Sequence, residues 1–148
     1  MNLLASVSAA TMFLLAALHA YWGFGGVWPG TDAISCARTV GGFPGATRMA
    51  RPSASFAVAA ALATAAPIAL VQGGLVQFEG IGPLPALAAG GVAFVFTGRG
   101  IAGFTPAWRR LTPEQPFAKL DVRYYSPLCL LIGAAFTILA FTDLYHGF

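Results

Sequence analysis

Three glycines in "VAFVFTGRGIAGF" (Val92–Phe104) have the spacing of a phosphate cradle, because Gly98, Gly100 and Gly103 spell G-x-G-x-x-G. In dinucleotide-binding folds such a turn brings backbone N–H groups against a pyrophosphate, and an acid about 20 residues later holds the ribose. Asp121 stands near that position. The cradle works only between a strand and an opening helix, inside a βαβ unit of roughly 30 residues. Here the preceding run, Leu84–Thr97, is too long for a strand, and Pro106, Pro113 and Pro116 follow it. Prolines at that density forbid the crossover helix, so nucleotide binding is not expected.

Histidine and cysteine carry the other familiar chemistry. The chain has two histidines, His19 and His146, and two cysteines, Cys36 and Cys129. An electron-transfer haem held by two imidazoles needs both histidines on one iron. They fall near opposite ends of apolar segments, roughly 25–30 Å apart at 1.5 Å per helical residue. His19 with the two cysteines would suit zinc or copper, but no two of these residues share a local motif. No cofactor and no metal are expected. There is no Ser-His-Asp set, no paired carboxylates and no H-E-x-x-H. Of the five acids, only Glu114 and Asp121 lie near the candidate site. Acid–base catalysis is therefore not expected, and a non-enzymatic role is.

The elements that position these residues follow from composition. The chain has 148 residues, 57% hydrophobic and 9% charged, where soluble domains carry about 25% charged residues. A chain this small with so few charges cannot cover its surface for water. A membrane helix needs roughly 20 mostly apolar residues, and four segments supply them: about 3–22, 53–78, 84–103 and 126–145. The first lacks the basic leader and small-residue cleavage site of a signal peptide. The sequence thus predicts one all-α membrane domain, an integral four-helix bundle.

All eight Lys and Arg residues lie in two places. Arg38, Arg48 and Arg51 fall between the first two spans; Arg99, Arg109, Arg110, Lys119 and Arg123 fall at or after the end of the third. With four spans both groups share one side, which the positive-inside rule makes cytoplasmic. Both termini then face outward, as expected of a bacterial inner-membrane protein. Trp28, Trp108, Tyr125, Arg109 and Arg110 are expected to anchor that interface, with anionic headgroups as partners. The charges are too sparse for nucleic acid.

Alanine and glycine fill the second and third spans ("ASFAVAAALATAAPIAL", "ALAAGGVAF"). Small residues let membrane helices approach closely, so these two spans are expected to be the tightly packed pair. Pro67 is expected to kink the second span, and Gln72 and Gln77 to seek partners across helices or at the outer interface. In the third loop, "TPEQ" predicts a short interfacial helix capped by Thr112, with Pro113 at the first position and Gln115 as capping-box partner. Ser126-Pro127 predicts the N-cap of the fourth span. Asp121 is expected to pair with Arg99 or Arg109.

Two stretches together, "LHAYWGFGGVWPG" (Leu18–Gly30) and "GRGIAGFTPAWRRLTPEQPFAKLDVRYYSPLCLLIG" (Gly98–Gly133), resemble an uncharacterised family of small bacterial integral membrane proteins, a domain of unknown function. The resemblance covers nearly the whole chain. It implies four spans and a membrane location, and no activity.

Two functions fit these readings. The first is helix packing, as an accessory or assembly subunit of a membrane complex or as a self-associating bundle. The second is binding or turnover of a lipid-like molecule at a cytoplasm-facing site made by His19, Trp22, Arg99, Asp121, Arg123 and Tyr124. A small transporter ranks below both, since no internal repeat is visible and midplane polar groups are few.

Overall fold

The computed structural model describes residues 1–77, 80 and 82–146, with side chains to residue 141. These residues form α1 (Asn2–Gly23), α2 (Ala33–Val40), α3 (Pro52–Gln72), α4 (Leu84–Ala102), α5 (Pro106–Leu111), α6 (Phe117–Leu120), a π-helical turn (Asp121–Tyr125) and α7 (Ser126–His146). No strand occurs among them. Four helices are long and apolar enough to cross a membrane: α1, α3, α4 and a continuous Phe117–Phe141 stretch ending in α7. The protein is an all-helical four-helix membrane bundle.

The bundle is built from two hairpins. α1 packs chiefly on α3 and α4 chiefly on α7, with a thinner seam between α3 and α4. This corrects the expected pairing of the second and third spans. The reason lies in where the small residues point. On α1, Ala5, Ala9, Met12 and Ala16 are buried at spacings of four and three, facing Ala59, Leu62, Ala65, Ala66 and Ala69 of α3. A ladder of alanines lets the two backbones close up and gain dispersion contacts. Where the helices come nearest, at Gly73, any Cβ would overlap the Ala5 methyl. In the other hairpin, a Cβ at Gly100 would lie 2.6 Å from Leu130 Cγ, and one at Gly133 would overlap Thr97. Gly90 and Gly91, which drew attention to α4, face open space instead.

Pro67 lies inside α3, which continues through it with the proline exposed. The second span ends at Gln72, with Gly73 and Gly74 closing it; its expected end at Phe78 lies outside the described residues. Buried Gln72 crosses the bundle and donates from Nε2 to Leu139 O at 3.1 Å. Gln77 lies beyond the helix and is exposed.

The basic loops carry the short helices. α2 begins at Asp32, whose side chain accepts from Ser35 N at 2.8 Å while Ser35 Oγ accepts from Asp32 N at 3.1 Å. The short helix of the third loop is α5, not a helix beginning at "TPEQ". Thr105 caps it by accepting from Trp108 N at 3.3 Å. Thr112 instead closes its other end, donating to Trp108 O at 2.9 Å. Ser126 is no N-cap either. It continues a helix that already runs through α6 and the π-helical turn.

Candidate functional site

Two polar constellations occupy the basic end of the bundle; His19 and Trp22 fall in one, Arg99 and Asp121 in the other, and Arg123 and Tyr124 in neither.

The first is centred on Asp121, which is fully buried. Its position follows from the π-helical turn, where Ser126 N bonds back to Asp121 O, five residues earlier. That wider register sets the Ser126 hydroxyl beside the carboxylate, and Ser126 Oγ donates to Asp121 Oδ1 at 3.0 Å. Arg99, from the last turn of α4, donates to the same oxygen at 2.7 Å and to Ser126 Oγ at 3.3 Å. The other oxygen accepts from Trp108 Nε1 at 3.0 Å and from Arg109 Nη2. Arg109 also donates to Ala118 O at 2.7 Å, tying α5 to α6. The Arg99 guanidinium stacks 4.6 Å from the Trp108 ring centre. Four donors thus converge on one carboxylate from three segments of chain. A buried ion is tolerated only when it is paired and hydrogen-bonded in this way.

This assembly explains one glycine of the false phosphate cradle. A Cβ at Gly103 would overlap Ser126 Oγ and come within 3.1 Å of Arg99 Nη1. Gly103 is bare because the ion pair passes over it. At Gly98 a Cβ would meet nothing.

The second constellation is a cavity of about 520 Å³ between the end of α1, the end of α2 and the start of α3. His19 and Trp22 line it, with Phe43, Met49, Val58 and the buried Ser55, and Arg48 and Arg51 at its margin. His19 Nδ1 lies 2.8 Å from Leu15 O, one turn earlier in its own helix. A carbonyl can only accept, so Nδ1 carries the proton and Nε2 is the nitrogen left for another partner. Trp22 packs edge-on to His19 at 5.0 Å and donates from Nε1 to Trp28 O at 2.7 Å.

Arg99 and Asp121 do not line this cavity. Arg123 and Tyr124 lie on the exposed face of the π-helical turn, stacked on each other at 5.4 Å. Of the expected anchors, Trp28 and Arg110 are exposed. Trp108 and Arg109 turn inward to Asp121. Tyr125 reaches across to donate to Thr39 O at 3.3 Å. That bond, with Glu114 N donating to Gly42 O at 3.2 Å and Glu114 lying 3.9 Å from Arg38, joins the two loops into one cap.

Arg48, Arg51 and Ser55 were absent from the expected site. Their signal was weak: two arginines precede the proline that opens a span, which also describes an ordinary topology anchor. α2 was missed as well, although Asp32-x-x-Ser35 is a capping-box pattern.

Among the described residues, no three of His, Cys, Asp and Glu come together as a metal site would require. Cys36 is buried with its thiol 3.6 Å from Trp28 O, and burial pushes that thiol above its ordinary pKa. A thiol so held is a poor thiolate ligand or nucleophile. His146, the second candidate haem ligand, has its side chain outside the described residues.

A family model described as a protein of unknown function, DUF3995, matches residues 12–136. No curated protein and no solved structure matches the chain.

Proposed function

The chain belongs to the DUF3995 family, and from that premise we propose that it acts by helix packing, as an accessory or assembly subunit in a bacterial inner membrane. The observation that carries the proposal is a groove of about 680 Å³ along α4 and α7, on the outside of the bundle. Gly90, Gly98, Thr97, Thr137 and Ala140 line it, and a Cβ at Gly90 or Gly98 would meet nothing.

The first hairpin gives the comparison. There the small residues of α3 are covered by α1, to the point of contact at Gly73 and Ala5. Along α4 a similar surface lies open. Lipid tails gain little from a groove that combines Gly90 and Gly98 with Leu87, Phe94, Ile101 and Phe141, whereas another helix gains close backbone approach at the glycines. The groove takes one transmembrane helix from outside this chain, of a partner subunit or a second copy. In this reading no reaction is assigned, and the buried Asp121 assembly holds the α4/α7 hairpin rigid while it is docked.

Orientation is part of the proposal. Both basic loops face the cytoplasm and both termini face outward, because every Lys and Arg lies on or beside the two loops. Alkaline phosphatase fused after Phe148 is then active, and an inactive fusion reverses the topology.

The docking role is tested with cysteines placed at Ala86 and Gly98 in a chain whose Cys36 and Cys129 are replaced by serine. A short bifunctional crosslinker in intact membranes captures a neighbouring helix, and Gly90→Leu, which fills the groove, abolishes capture. A protein that stays monomeric and uncrosslinked, or whose crosslinks survive Gly90→Leu, contradicts the proposal.

A further inference from the structure

The cavity beside His19 has a different chemistry from the groove, and it points to a ligand. Two features stand out. First, its cations are free. Each acid described at this end is already engaged: Asp32 caps α2, Glu114 faces Arg38, and Asp121 holds Arg99 and Arg109. Among the described residues Arg48 and Arg51 make no ion pair, and no acidic side chain lines the cavity. Second, the cavity is amphiphilic in a directed way. Arg48 and Arg51 stand exposed at its margin, while Trp22, Phe43 and Val58 give it apolar walls.

We infer that this cavity binds an anionic lipid, the phosphate of the headgroup between Arg48 and Arg51 and the upper acyl chain against Trp22 and Phe43. Three physical arguments converge. Guanidinium groups match phosphate oxygens in pairs. The start of α3, with Ala54 and Ser55 on the cavity wall, adds the positive end of a helix dipole. His19 Nε2 remains available beside them, its Nδ1 being committed to Leu15 O. A soluble phosphate compound would satisfy the arginines and leave the aromatic wall bare. A neutral lipid would cover the wall and leave two cations unmatched. An anionic lipid answers both. The site is separate from the α4/α7 groove, so it stands or falls independently of the docking proposal.

The test uses the full chain in zwitterionic phosphatidylcholine nanodiscs doped with phosphatidylglycerol, with bound lipid counted by native mass spectrometry after gentle release. The wild-type protein retains phosphatidylglycerol over phosphatidylcholine. The double variant Arg48→Gln/Arg51→Gln weakens that preference roughly 10–30-fold, since each arginine loses a charge-assisted contact with the phosphate. Ala54→Phe, which fills the cavity without removing a charge, weakens it as well. The control, Arg110→Gln/Arg123→Gln, removes two exposed arginines from the same end and changes it less than about twofold. Equal losses in both double variants mean diffuse surface attraction and overturn the site. Unchanged retention in Ala54→Phe also overturns it. So does an equally tight complex with glycerol phosphate alone, which would make the ligand a free phosphate compound. Circular dichroism confirms that each variant is folded.

Discussion

Between α1 and α3 the chain passes through α2 with three arginines and no fully buried acid; from the end of α4 to α7 it passes through α5 and α6 with five cations and one buried acid, Asp121. Both loops cap the same end of the bundle. In the second, the carboxylate gathers Arg99, Arg109, Trp108 and Ser126, so two of the five cations serve structure. In the first, Arg38 reaches Glu114 on the other loop, while Arg48 and Arg51 make no ion pair among the described residues. The difference shows what one buried carboxylate does in a membrane protein. It turns basic residues that would be ligand-seeking into a fixed joint, and basic residues without such a partner remain available.

The comparison is broken most severely by Asp121→Ala. Removing one partner of a buried ion pair leaves the others uncompensated and costs about 3–5 kcal/mol. Thermal unfolding in detergent measures that loss, whereas Arg48→Gln/Arg51→Gln in the other loop stays within about 0.5 kcal/mol of wild type.

Next come the three glycines of "GRGIAG", replaced one at a time by alanine. Gly103→Ala forces Ser126 or Arg99 to move and costs about 1–3 kcal/mol. Gly100→Ala crowds Leu130, its side chain at 2.6 Å and its backbone N at 3.0 Å, and costs less, because it disturbs no ion pair. Gly98→Ala is neutral or stabilising by about 0.5–1 kcal/mol, since alanine restrains the unfolded chain. Any other ranking in unfolding midpoints contradicts the placement of the ion pair over Gly103.

The most local effect is that of Asp32→Ala, which removes the cap of α2. It is read by faster amide exchange in residues 33–36 with the α4/α7 loop unchanged. The Ser35 N–H holds the Asp32 carboxyl below its ordinary pKa. Its contribution is therefore complete above the ordinary carboxylate range and fades as pH falls through the lowered folded-state pKa. Protection of the α2 amides, corrected for the intrinsic pH dependence of exchange, should fall with acid in wild type and not in Asp32→Ala.

Much of this arrangement was legible in the sequence. Four apolar runs of spanning length, two without charge and two with a single charge near one end, have few alternatives, and eight cations in two clusters leave little choice of pairing between loops. The partnership of Asp121 with Arg99 or Arg109 followed from its place between Lys119 and Arg123 in a loop rich in arginine, although that it takes both did not. The failures share a cause. "TPAW" and "TPEQ" share Thr-Pro as a start signal, only the second adds a capping-box partner, and the choice between them is made at a distance. Trp108 buries its N–H against Asp121, while Glu114 is drawn to Arg38 and the backbone of the first loop. Ser126-Pro127 likewise looks like a beginning, yet Ser126 spends its hydroxyl on the same carboxylate. The tight helix pairs were hidden because glycine content does not say which way a glycine points. Gly73 meets Ala5 and Gly90 meets nothing. The cavity beside His19 depended on three segments folding together, which no local pattern contains.

The most direct measurement is the rate at which an arginine-selective dicarbonyl modifies each guanidinium in delipidated protein held in a neutral detergent, mapped by peptide mass spectrometry. Arg48 and Arg51 should react rapidly, and Arg99 and Arg109 should be protected until Asp121→Ala releases them. Equal reactivity of all four in the wild-type protein would contradict the division of labour between the two loops.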